Sequence, residues 1–63
     1  MLKFKEFMTL YRSNLFFQHG VDEALNGELE RSSKPFFWDD SSFTLYCLGY
    51  AKAEMYREML DNE

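Results

Sequence analysis

Phe43-Thr44-Leu45-Tyr46-Cys47-Leu48-Gly49-Tyr50-Ala51-Lys52-Ala53, continuing through Glu54-Met55-Tyr56-Arg57-Glu58-Met59-Leu60, is the stretch whose reading decides the fold. Turned at helical pitch, it shows two apolar faces. Phe43, Tyr46, Cys47, Tyr50 and Ala53 form the first, and Leu45, Leu48, Met55, Tyr56, Met59 and Leu60 lie around the other side. A helix apolar on most of its circumference is covered by more than one neighbour. Beyond Ala53 the first face turns polar through Glu54, Arg57, Glu58 and Asp61, so that end reaches solvent. Gly49 in mid-helix costs roughly 1 kcal/mol against Ala, and close approach of a second backbone is the usual compensation. Asp39, Asp40, Ser41 and Ser42 are four consecutive N-cap candidates immediately before this helix.

Working outward, the linker before those caps runs from Arg31 to Asp40. Ser32-Ser33 breaks the preceding helix, and Pro35 biases Lys34 away from helical angles. Phe36, Phe37 and Trp38 follow in a row, and three adjacent bulky rings cannot all face one core. The run reads either as a lid over the open end of a helical hairpin or as an exposed binding anchor.

Further toward the N-terminus, Phe4, Phe7, Met8, Tyr11 and Leu15 form a stripe at helical spacing, widened by Leu10 and Phe17. Phe16 falls among Lys5, Arg12 and His19 on the polar side, an exposed position. Gly20 interrupts or kinks the pattern, which resumes through Val21, Ala24, Leu25 and Leu29. Asn26-Gly27 either closes that helix as a left-handed cap or stays helical, with Gly27 on the same face as Gly20. The expected fold is therefore all-α, a small helical hairpin or three-helix arrangement with helices at about 2–18, 21–30 and 41–61 and an extended aromatic linker.

A chain of 63 residues is one domain, near the lower size at which a single core is self-sufficient. It is 46% hydrophobic and carries twelve aromatic residues, more than a lone helical hairpin hides. A homodimer, or a partner covering the surplus, is the consequence. No apolar run approaches the roughly 20 residues of a membrane span. The start, Met-Leu-Lys-Phe-Lys-Glu-Phe, is too broken by charge for a signal-peptide core. The single cysteine makes no internal disulfide, so the expected compartment is a reducing cytoplasm.

The formal net charge is −4, unevenly spread. Residues 35–63 hold six acids against Lys52 and Arg57 alone. A basic stripe is missing, which disfavours direct nucleic-acid binding. The acidic half is either a solvated surface or a face for a basic partner protein. No cofactor fingerprint is present, and the spacing of Gly20 and Gly27 lacks the Lys-Ser/Thr of a phosphate loop. His19 and Cys47 are the only residues that could form a thiol–imidazole pair, but Cys47 sits on an apolar helix face as a small hydrophobe. Glu54, Glu58 and Asp61 share neighbouring turns yet lack a nitrogen ligand or calcium-loop glycine, so they read as an exposed acidic end.

The order and spacing of Gly20, Ala24, Gly27 and Pro35, then Tyr46, Gly49, Tyr50 and Ala53, resembles the ribosome modulation factor family, which includes short phage and plasmid proteins. The likeness covers roughly residues 17–53. It implies two helices joined by an extended linker, with Gly20, Ala24, Gly27, Tyr46, Gly49, Tyr50 and Ala53 where they pack. The founding member is basic and sits on ribosomal RNA, whereas this chain is acidic, so the fold carries over and the ribosome does not.

The function expected is that of a small, non-enzymatic, cytoplasmic interaction protein from a phage or mobile element. It would bind and modulate or inhibit a host macromolecular machine through Phe36, Phe37 and Trp38, with Asp39, Asp40, Glu54 and Glu58 meeting basic residues of the target. The alternatives are a ribosome- or RNA-associated stress factor and a structural homodimeric accessory protein.

Overall fold

The computed structural model describes residues 3–61, with side chains described through Met59. Position 2, where the first helix was expected to begin, and the side chains of Leu60 and Asp61 lie outside the described residues. Three helices make up the fold: α1 spans Phe4–Ser13, α2 spans Leu15–Leu25 and α3 spans Asp40–Asp61. No strand occurs among the described residues.

The break between the first two helices falls at Asn14, not at Gly20. Asn14 adopts extended backbone angles, φ −127° and ψ 117°. Its Oδ1 accepts the Phe17 N–H at 2.9 Å, capping α2, while its own N–H donates to the Leu10 carbonyl to close α1. Short polar side chains compete with helical hydrogen bonding in this way, and Ser13 adds to it by donating its hydroxyl to the Thr9 carbonyl at 2.8 Å. A continuous helix would hold Phe7 and Phe17 roughly 15 Å apart along its axis. The break brings their rings to 5.5 Å, edge to face. It also resets the register, so Phe17 is fully buried and Leu15, expected in the stripe, is exposed.

Gly20 is helical and lies at the contact between α2 and α3, the principal packing of the molecule. The two helices cross at backbone distance. A Cβ on Gly20 would run into the Tyr46 carbonyl and come within 2.8 Å of the Tyr50 nitrogen, and one on Gly49 would strike the Phe17 carbonyl. The glycines thus face each other's helix reciprocally, which accounts for Gly49 in mid-helix.

Helix α2 ends at Leu25 rather than near residue 30. The Glu28 N–H bonds to the Glu23 carbonyl at 2.9 Å and the Gly27 N–H to the Ala24 carbonyl at 3.2 Å, the paired bonds of a Schellman cap. Gly27 supplies its left-handed residue, φ 76°. Of the two roles open to Gly27, capping is the observed one. It has no heavy atom of the rest of the chain near its Cβ position, so it drops out of the expected helix-packing set. At the start of α3, Asp39 is the cap among the four candidates. Its Oδ1 accepts the Ser42 N–H at 2.9 Å, and α3 begins one residue earlier than expected. Hydrogen bonds from Ser42, followed by that from Ser41, hold the Asp39 carboxyl below the ordinary aspartate range.

The core comprises Phe7, Phe17, Val21, Ala24, Trp38, Tyr46, Tyr50 and Ala53. Tyr46, Tyr50 and Ala53 come from the first face of α3, with Phe43 and Cys47 half-buried beside them. On the other face only part is covered. Tyr56 meets the α1 rings of Phe4 and Phe7 at 5.7 and 5.0 Å, while Leu48, Met55 and Met59 remain exposed. Tyr11 ties α1 to α2 by donating to Asp22 Oδ1 at 2.7 Å. No helix among the described residues is long and apolar enough to cross a membrane.

Candidate partner-binding turn

The linker from Asn26 to Asp39 has no regular structure, yet it is tied down along its length. Tyr46, with 0% exposure, lies beneath it and uses its hydroxyl twice. The hydroxyl donates to Glu23 Oε1 at 2.7 Å and accepts the Arg31 backbone N–H at 3.0 Å. The Arg31 guanidinium closes the triangle on Glu23 Oε2, with Nη2 at 2.9 Å and Nε at 3.3 Å. Its carbon lies 5.1 Å from the Trp38 ring centroid and 5.6 Å from that of Tyr46. One turn along α3, the Tyr50 hydroxyl donates to the Glu28 carbonyl.

These contacts set the charges involved. Burial pushes Glu23 toward neutrality, but hydrogen bonds from Arg31 and Tyr46, with the attraction of the guanidinium, outweigh it and lower its pKa. Burial first, and the bond to Glu23 second, push Tyr46 up to about 12. The triangle therefore stays in one protonation state, ionised Glu23 and neutral Tyr46, across the physiological range.

Past Arg31 the chain makes a tight turn, Pro35 to Trp38, closed by the Trp38 N–H on the Pro35 carbonyl at 3.0 Å. Trp38 points inward, 9% exposed. It packs edge-on against Phe16 at 4.9 Å and Tyr46 at 5.7 Å, and lies parallel to His19 at 6.5 Å. Phe16, expected at an exposed position on the polar side, is half-buried because Trp38 folds over it. Trp38 thus occupies the lid position of the two readings of the aromatic run. Phe36 and Phe37, the two central residues of the turn, point out, 95% and 73% exposed. Their rings meet edge to face at 5.4 Å, and Phe37 leans on the edge of Trp38 at 6.4 Å.

The acids expected to flank a partner are exposed, and three of them line up. Asp40, Glu54 and Glu58 recur at spacings that place them along one side of α3. Asp40 also meets Lys34 at 3.2 Å, a solvent-exposed pair of small energetic weight. Asp39 is exposed too, but its carboxylate is committed to capping. Among the expected helix-packing residues, Gly20, Ala24, Tyr46, Gly49, Tyr50 and Ala53 are all buried. The α2 carbonyl of Ala24 further accepts Arg57 Nη1 at 3.3 Å.

The Cys47 thiol is raised by burial and by the neighbouring Glu30, away from the reactive thiolate. His19 lies against Trp38. Among the described residues no group of three His, Cys, Asp or Glu could hold a metal ion.

Glu23, Glu28 and Arg31, which fasten the linker, escaped the sequence reading. The available signal was Tyr46: a buried tyrosine requires a partner for its hydroxyl, and Glu23 is an acid within the preceding helix. No family model matches this chain, nor does any curated protein or solved structure.

Proposed function

We propose that this chain is a small non-enzymatic interaction protein that docks on a partner protein through the Phe36–Phe37 turn. The observation that carries the reading is the opposite treatment of three consecutive rings. Trp38 is spent on the core, and its burial holds Phe36 and Phe37 outward on a hydrogen-bonded turn. An aromatic pair presented on a hydrogen-bonded turn loses less backbone entropy on entering a pocket than the same pair on a free chain, which favours it as an anchor. Asp40 at the turn, with Glu54 and Glu58 roughly 20 Å or more further along the same side of α3, complements an extended basic surface and opposes phosphate backbones. Occlusion of the partner's own site is the mode of action, so the protein modulates or inhibits its target. A bacterial host machine as target and a phage or mobile element as source belong to this proposal through the sequence resemblance alone.

The test is capture from bacterial lysate on the immobilised chain and on a Phe36→Ser/Phe37→Ser variant. One stoichiometric protein should be retained by the first, lost by the second and released by salt. Equal retention by both, or none at several salt concentrations, would sink the proposal. A second reading, a homodimeric accessory protein, draws on exposed Leu48, Met55 and Met59 along α3. Sedimentation velocity separates the two, because this reading requires a dimer that Leu48→Lys dissociates.

A further inference from the structure

We infer that the first half of the linker, from Gly27 to Lys34, is a charge-latched strap with Glu23 as its catch, able to leave the α2–α3 pair without unfolding it. The strap's fastenings converge on few atoms. Arg31 meets Glu23 through its guanidinium and Tyr46 through its backbone N–H, and the second bond depends on a hydroxyl itself oriented by Glu23. The other fastenings are Tyr50 on the Glu28 carbonyl, the exposed Lys34–Asp40 pair at 3.2 Å, which is of small energetic weight, and the cap bonds from Gly27 and Glu28 that close α2. Leu29, the strap's one large apolar residue, is 91% exposed and anchors nothing. The crossing beneath is made by Gly20 and Gly49 against the opposite backbone, with Val21, Ala24 and Ala53 in the same core, and Tyr46 and Tyr50 reach from it to the strap through their hydroxyls. A segment fastened by polar contacts over a separately packed helix pair is the kind that opens as a local unit. Gly27, left-handed and uncrowded, is the hinge at one end.

The groups facing Glu23 are Arg31 from the strap, Tyr46 from α3 and His19 on its own helix, with Tyr50 acting at longer range. Removing the charge of Glu23 leaves Arg31 without its anion and weakens, without abolishing, the acceptor for the Tyr46 hydroxyl. The strap then lifts, the guanidinium leaves the Trp38 ring, and Tyr46 is uncovered. Trp38 already touches Phe37, so opening extends the exposed aromatic surface from the Phe36–Phe37 turn toward the core. This consequence for docking rests on the role proposed for the turn and belongs to acidic conditions, but the strap's opening does not depend on that role. Glu23 has its pKa lowered in the folded chain, so the latch is fully shut above the ordinary glutamate value of 4.5, weakens below it and opens as pH falls through the lowered value.

Trp38 is the only tryptophan, so its emission reports the strap directly. Emission and helical circular dichroism are to be followed from pH 7 downward in the full chain. The His19→Gln background removes the imidazole that also lies on Trp38. The expected result is a red shift of emission, with gain of hydrophobic-dye binding, at a pH where the helical signal is retained. Glu23→Gln should show the shifted emission already at pH 7, and Arg31→Met should show it at every pH. A single transition in which emission and helicity change together overturns the inference, as does unshifted emission in Glu23→Gln at pH 7. Loss of helical signal in both variants at pH 7 overturns it equally, since the helix pair would then depend on the latch. None of these readouts needs the partner, so a failed capture experiment leaves the strap standing, and the reverse.

Discussion

At the α2–α3 crossing the stabilising feature is an absence: Gly20 and Gly49 have no side chain, and each lets the opposite backbone sit where a Cβ would be. The linker is held in the opposite way, by long side chains reaching to one carboxylate and by one ring inserted as a lid. Dispersion over a close helix contact falls off abruptly when the helices are forced apart, whereas a polar fastening can be released and remade. The molecule thus couples a rigid, water-excluding helix pair to a connection that carries the exposed rings and can respond to charge.

The largest effect that would sharpen this contrast belongs to Trp38. Trp38→Ala should cost about 3–5 kcal/mol of stability, measured by denaturant unfolding, because it removes the lid from Phe16 and Tyr46. A loss confined to partner affinity, with stability unchanged, would break the assignment of Trp38 to the core. Next comes Gly20→Ala. In an exposed helix this substitution stabilises by about 1 kcal/mol, but here the added methyl meets Tyr46 and Tyr50 backbone and should destabilise by about 1–3 kcal/mol. A higher melting temperature in that variant would show that the crossing is looser than described.

Tyr46→Phe tests the polar side of the comparison. It leaves the Arg31 N–H and a Glu23 oxygen without their partner and should cost about 1–3 kcal/mol in thermal unfolding. The same hydroxyl predicts an alkaline limit. Because its pKa is raised in the folded chain to about 12, its contribution is complete below pH 10 and is lost as pH rises toward 12. Tyr46→Phe should flatten that part of the stability–pH curve. Smallest of all is Phe36→Ser, which should change stability by no more than about 0.5 kcal/mol, since the ring makes almost no use of the core. A large loss would place Phe36 in the fold and remove the main support for the docking turn.

Much of this architecture could be read from the chain. The wide apolar surface of residues 43–56, the glycine at 49 and the run of cap residues at 39–42 each have a local meaning that tertiary packing left intact. Asn14 was harder, because the apolar spacing from Phe4 to Leu15 continues smoothly across it and periodicity alone carries no sign of a stop. Phe16 and Leu15 fall on other sides than expected for the same reason, each being assigned a side by a register that ends at Asn14. The outward pair Phe36–Phe37 was recognised as unusual, but not which of the three rings would turn in.

What the sequence determined by itself was the helical class, the cap-and-linker signals before the last helix and the demand for close backbone approach at Gly49, because these follow from periodicity, capping chemistry and side-chain size within a few residues. Only the tertiary structure decided that Gly20 answers Gly49, that Trp38 closes the hairpin, and that Glu23, Arg31 and Tyr46 meet. Those contacts join residues that local chemistry leaves independent, and they exist only once the linker has returned across the crossing helices.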